Sequence, residues 1–157
     1  MSFDGSLSYI SGLPKTGFPR GLTILGSTGS IGVNALNVVR EHAVDFTVLA
    51  LAGARNITRL AEQASEFRPP YLGVLDGEGA DALQQALPSG YAPEIVVGQE
   101  GYIRLATLDQ VDMVLAAQVG AAGLPPSLAA AEAGKDIALA NKESLVLAGD
   151  LFRETCK

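Results

Sequence analysis

Three short clusters carry residue types at spacings that could do chemistry. The first is Gly26-Ser27-Thr28-Gly29-Ser30-Ile31-Gly32. Gly26 permits a tight turn. Gly29 lets a phosphate group approach the backbone closely. Gly32 lets a following helix pack against the strand with no side chain between. Backbone N–H groups at a helix start, aided by the helix dipole, attract phosphate. The hydroxyls of Thr28 and Ser30 add further donors. Such a loop would cradle a pyrophosphate.

The second cluster is Leu51-Ala52-Gly53-Ala54-Arg55-Asn56. A dinucleotide site that takes NAD usually has an acidic residue here, to hold the ribose 2′-OH. Arg55 stands in its place. A guanidinium can grip a 2′-phosphate with two parallel hydrogen bonds, whereas Asp or Glu would repel it. NADPH is therefore the expected cofactor. Arg59 is a possible second contact, though a surface position suits it better. The third cluster, Ala140-Asn141-Lys142-Glu143-Ser144-Leu145-Val146, is odd on electrostatic grounds. Lys142 falls in a helix's first turn, where a cation is disfavoured. A cation held there could serve a phosphate or carbonyl ligand. Asn141 could equally cap the helix, and Glu143 suits a helix start.

The elements that must position these clusters are legible from periodicity. Leu22–Leu25 reads as a strand ending at Gly26. Ser30–Arg40 reads as a helix with Ile31, Ala35, Val38 and Val39 near one face. Phe46–Ala52 is a second strand. Asn56 caps a helix over Ile57–Phe67, with Ile57, Leu60, Ala61 and Ala64 inward and Pro69-Pro70 beyond its end. Strands follow at Tyr71–Leu75, Glu94–Val97, Met113–Ala116 and Ile137–Ala140. Helices are expected over Ala80–Leu87, Gln99–Thr107, Pro125–Ala133 and from about Asn141 nearly to Lys157. Gly120–Gly123 reads as a loop. Alternation of this kind predicts an α/β fold of the Rossmann type: a doubly wound, mostly parallel sheet with helices on both faces. The three clusters then share the carboxyl edge of that sheet, where ligands bind. Residues 1–20, with three Gly and two Pro, read as a flexible extension, and residues 21–157 as one NADPH-binding domain.

The spacing GxxGxxG is one residue longer than GxGxxG, as in many NADP-dependent reductases. Together with the cluster around Lys142 and with Val119-Gly120-Ala121-Ala122-Gly123-Leu124, it resembles the 1-deoxy-D-xylulose 5-phosphate reductoisomerase family of the non-mevalonate isoprenoid pathway, over roughly residues 21–157. The resemblance implies that Thr28, Gly29, Ser30, Ile31, Arg55, Asn56, Asn141 and Glu143 contact NADPH. It implies that Lys142 contacts the phosphorylated sugar substrate. It also implies a cytoplasmic, homodimeric parent enzyme that uses Mg²⁺ or Mn²⁺. One departure is Ala54, where the family usually has Gly before the basic residue.

The family's metal site begins with an Asp-x-Glu motif beyond Lys157, so this chain is expected to bind NADPH without catalysis and to supply no metal ligands. Asp76-Gly77-Glu78 fits the bare pattern but reads as a surface turn. His42, the only histidine, suits a helix end, and Cys156, the only cysteine, reads as incidental. A net charge of -6 argues against a nucleic-acid or membrane-surface binder. Two alternatives remain: another NADP-dependent reductase with a GxxGxxG loop, and a non-catalytic NADP(H)-sensing module. The Asn141–Ser144 cluster disfavours the first.

Overall fold

The computed structural model describes residues 17–140 and 142–155; the side chains of residues 142–145, 147, 148 and 152 lie outside that description. Six strands form one sheet: β1 (Arg20–Leu25), β2 (Phe46–Ala52), β3 (Tyr71–Val74), β4 (Glu94–Val97), β5 (Met113–Ala116) and β6 (Asp136–Leu139). Between and after them lie α1 (Ser30–Glu41), α2 (Ile57–Phe67), α3 (Gly77–Ala86), α4 (Gly98–Thr107), α5 (Leu124–Glu132) and α6 (Lys142–Thr155).

The strand order is β4-β3-β2-β1-β5-β6. Every pairing is parallel, so the sheet is wholly rather than mostly parallel. The chain winds outward from β1 through β4, then returns to the other side of β1 for β5 and β6. With right-handed crossovers this reversal puts helices on both faces. Two apolar clusters follow. One joins Ile24, Leu51 and Leu72 of the sheet to Leu36 of α1, Leu60 of α2 and Leu83 of α3. The other joins Leu25, Ala50, Ala52 and Val114 to Tyr102 and Leu105 of α4 and Ala130 of α5. A bulge in β2 helps to serve both. The register shifts so that Leu22 pairs with Val48 and Thr23 with Ala50. Leu49 and Ala50 therefore both turn toward the α4 and α5 side, while Val48 and Leu51 face the first cluster.

Helix ends follow local chemistry. The Asn56 side chain accepts from the Arg59 N–H at 3.0 Å, capping α2. At the other end Arg68 is left-handed, with φ of 48°, next to Pro69. Two prolines sit in the first turn of α5, where a missing N–H does no harm.

Several sequence expectations need correction. The helix after β3 begins at Gly77, not Ala80, because Asp76 accepts from the Gly79 N–H at 2.8 Å. Asp76-Gly77-Glu78 is thus a capped helix start rather than a free turn. Two glycines in that turn mask its helical character. In α1 the buried stripe is Gly32, Leu36 and Val39, while Ile31 and Val38 are exposed. The tight seat at Gly32 sets the helix rotation. Gly120–Gly123 forms a 3-10 turn instead of an irregular loop. β1 starts at Arg20, two residues before the strand expected from Leu22. His42 is the C-cap of α1, 3.4 Å from Asp45, as a helix-end role requires. Asn141 and Cys156 lie outside the described residues.

Candidate dinucleotide-binding site

The carboxyl ends of β1 and β5, where the winding reverses, frame the crevice in which such sheets bind ligands. Gly26 makes the turn out of β1 with φ of 87°. A Cβ there would stand 2.6 Å from the Ala117 carbonyl oxygen at the end of β5. Only glycine suits both the conformation and the space. Two N–H groups, those of Gly26 and Ser27, donate to the Ala52 carbonyl of β2 at 2.9 and 2.8 Å. The Gly29 N–H donates back to the Gly26 carbonyl at 3.2 Å.

Gly32 owes its identity to the loop rather than to the strand. A Cβ there would lie 2.4 Å from the Gly26 oxygen and 2.5 Å from the Ser27 Cα. Helix α1 thus rests directly on the backbone of the turn. Gly29 differs: its added Cβ would meet only the Gly26 oxygen, at 3.5 Å. It is exposed and caps α1 with no side-chain hydrogen bond. Among the described residues, no partner is found for the N–H groups of Thr28, Ser30 and Ile31. Unpaired donors at a helix start form an anion-binding concavity.

The β2–α2 turn lies against this loop. A Cβ on Gly53 would stand 3.0 Å from the Thr28 side chain. Arg55 and Asn56 are exposed at the start of α2. Arg59, expected at the surface, is exposed but donates to the Thr28 carbonyl at 3.3 Å. The turns carrying Thr28 and Arg55 are therefore in contact. The described part of the third cluster follows the carboxyl end of β6. Lys142 and Glu143 begin α6 directly after β6, and α6 packs on α5 and the turn over Gly120–Gly123.

Two residues at the site escaped the sequence reading. Gln63 of α2 is buried and donates from Nε2 to the Ser27 carbonyl at 2.8 Å. Its signal was a polar residue within the inward stripe of Leu60, Ala61 and Ala64. Tyr102 of α4 donates from its hydroxyl to the Gly53 carbonyl at 3.3 Å, supporting the β2–α2 turn from the opposite face. Burial, and secondarily the Asp76 carboxylate, push the Tyr102 hydroxyl up to about 12, so it remains a donor at neutral pH. No sequence periodicity links Tyr102 to Gly53.

Fold and site together define a doubly wound α/β domain of the dinucleotide-binding class. Residues 22–149 match the family model for 1-deoxy-D-xylulose 5-phosphate reductoisomerase. The enzyme of that name from Oleidesulfovibrio alaskensis is 59% identical over 152 residues, covering 94% of this chain and 37% of the relative. The one from Lawsonia intracellularis is 52% identical over 153 residues, covering 95% and 38%. A crystal structure of DOX-P reductoisomerase with NADPH, fosmidomycin and magnesium superposes with a TM-score of 0.83 at 44% identity, covering 87% of this chain and 34% of that one. The Zymomonas mobilis enzyme in complex with NADPH gives 0.82 at 37% identity, covering 87% and 36%. This chain belongs to the 1-deoxy-D-xylulose 5-phosphate reductoisomerase family, and it spans a little over a third of the length of these relatives.

Proposed function

We propose that this chain is the NADPH-binding part of an enzyme that rearranges 1-deoxy-D-xylulose 5-phosphate and reduces the product to 2-C-methyl-D-erythritol 4-phosphate. The observation that carries this reading is the loop between β1 and α1. It offers unpartnered N–H groups at Thr28, Ser30 and Ile31 beside a turn carrying Arg55 and no carboxylate. Gly26 makes the turn, and Gly29 leaves the loop's approach clear for the pyrophosphate. Thr28, Ser30 and Ile31 hold it, and Arg55 with Asn56 takes the 2′-phosphate. By the family resemblance, Asn141 and Glu143 complete the cofactor site and Lys142 contacts the sugar phosphate. NADPH, when bound, supplies the hydride. The chain's own groups bind and orient it.

Residues 21–157 act in this reading as one cofactor domain, with Arg20 joined to it as the first residue of β1 and residues 1–19 as an extension outside it. Among the described residues no cluster of His, Cys, Asp and Glu could hold a metal ion. They do not fit the Mg²⁺ or Mn²⁺ of the family reaction. No described helix is long and apolar enough to cross a membrane. A cytoplasmic, homodimeric parent enzyme fits the family resemblance.

The test is calorimetric titration with NADPH and NADH. The chain should prefer NADPH. Arg55→Ala should weaken NADPH by about 1–3 kcal/mol, the range for hydrogen bonds to charged groups, and leave NADH nearly unchanged. Equal affinities in the unsubstituted chain would overturn the role of Arg55.

A further inference from the structure

We infer that Gln63 is a positioning residue for the phosphate loop: it holds the Ser27 carbonyl inward and so aims the Thr28 N–H outward at the cofactor. The inference deepens the cofactor reading above and rests on it.

The argument begins with peptide planarity. In a trans peptide the C=O and the following N–H point in opposite directions. The Ser27 carbonyl and the Thr28 N–H share one peptide unit. Fixing the first fixes the second. Gln63 Nε2 donates to the Ser27 carbonyl at 2.8 Å. The loop's neighbouring N–H groups are already committed. Ser27 donates to Ala52, and Gly29 donates back to Gly26. Between them the Thr28 N–H is left without a partner. It is the donor this stretch can offer a ligand, and Gln63 sets its direction.

Burial gives Gln63 control of that direction. Gln63 is only 6% exposed and Ser27 is fully buried, so water does not compete for the carbonyl. The Gln63 Oε1 atom has no partner in the interior. On packing grounds an apolar side chain would suit that stripe of α2 better, because an unsatisfied buried oxygen is unfavourable. One turn earlier, Arg59 donates to the next carbonyl, that of Thr28, at 3.3 Å. Helix α2 thus holds two successive carbonyls of the loop, while Arg55 and Asn56 at its start face the 2′-phosphate. One rigid helix sets the spacing between both phosphate-binding turns.

The test separates positioning from general support of the fold. Gln63→Met keeps the length but cannot donate to a carbonyl. Binding of NADPH, NADH and 2′-AMP is measured by titration. The last carries the 2′-phosphate but no pyrophosphate. Gln63→Met should weaken NADPH and NADH by the same factor, about tenfold for one lost buried hydrogen bond. It should leave 2′-AMP unchanged. Arg55→Ala should do the reverse, weakening NADPH and 2′-AMP while sparing NADH. If Gln63→Met unfolds the chain, Gln63→Leu also lacks a donor and gives the same comparison. Unchanged NADPH affinity, or parallel loss of NADPH and 2′-AMP, overturns the inference while leaving the cofactor reading intact. Failure of the unsubstituted chain to bind NADPH overturns both.

Discussion

Replacing Gly29 and Gly32 in turn tests what each glycine in the loop is for. At Gly29 an added side chain meets only one protein atom in ordinary contact, 3.5 Å away. Its backbone, at φ -76° and ψ 169°, is open to any residue. Gly29→Val should therefore fold, with a stability change within about 1 kcal/mol, the usual span for N-cap exchanges. Cofactor binding should fail, because the new side chain fills the space between loop and pyrophosphate. Losing two hydrogen bonds to charged phosphate, at roughly 1.5–3 kcal/mol each, weakens binding by more than about a hundredfold. At Gly32 the obstacle is the protein itself. A Cβ would stand 2.4 Å from the Gly26 oxygen. Relief requires the helix to move by about 1 Å away from a backbone that cannot yield, at a cost on the order of 3 kcal/mol. The gain in helix propensity from Gly to Ala, about 1 kcal/mol, does not offset it. Gly32→Ala should thus lower the melting temperature and weaken binding together. Circular dichroism follows the fold, and NADPH fluorescence follows binding. A native melt with affinity within threefold of the parent for Gly29→Val would remove this loop from the cofactor site.

Other expectations concern the reaction and the helices beneath the site. The 157-residue chain should show no oxidation of NADPH with deoxyxylulose phosphate and Mg²⁺ or Mn²⁺, since a Lewis-acid mechanism needs fixed metal ligands; clear metal-dependent turnover would refute this. In a longer protein that contains the remaining two-thirds, Lys142→Ala should impair steady-state use of the sugar substrate more than it impairs NADPH binding. The Arg40 guanidinium of α1, paired with Glu66 of α2, holds the Glu66 carboxyl below its ordinary value of 4.5. A depressed carboxyl stabilises above its unfolded pKa and loses that contribution as pH falls through the folded one. Glu66→Gln should then cost less than about 1 kcal/mol at pH 7, because both groups are solvent-screened, and the difference from the parent should vanish on acidification. A difference that grows toward low pH would contradict that pairing.

The alternation of strands and helices was legible along the chain because local periodicity reflects burial directly. Phe46–Ala52, Ile57–Phe67 and Met113–Ala116 fall where the pattern put them. The glycine loop, the absence of an acid after β2 and the Asn56 cap are equally local facts, readable from residue types in order. Other features depended on neighbours distant in sequence. The stripe of α1 centres on Gly32 because the helix sits on the Gly26–Ser27 backbone, and periodicity alone favoured Ile31 and Val38. The start of α3 depended on one hydrogen bond from Gly79 to Asp76, which outweighed the low helix propensity of two glycines. Gln63 and Tyr102 act on the site from α2 and α4, on opposite faces of the sheet. Residue order determined which groups could meet a dinucleotide. Only the folded sheet decided which carbonyls are held back, because a hydrogen bond between residues 27 and 63 has no period along the chain.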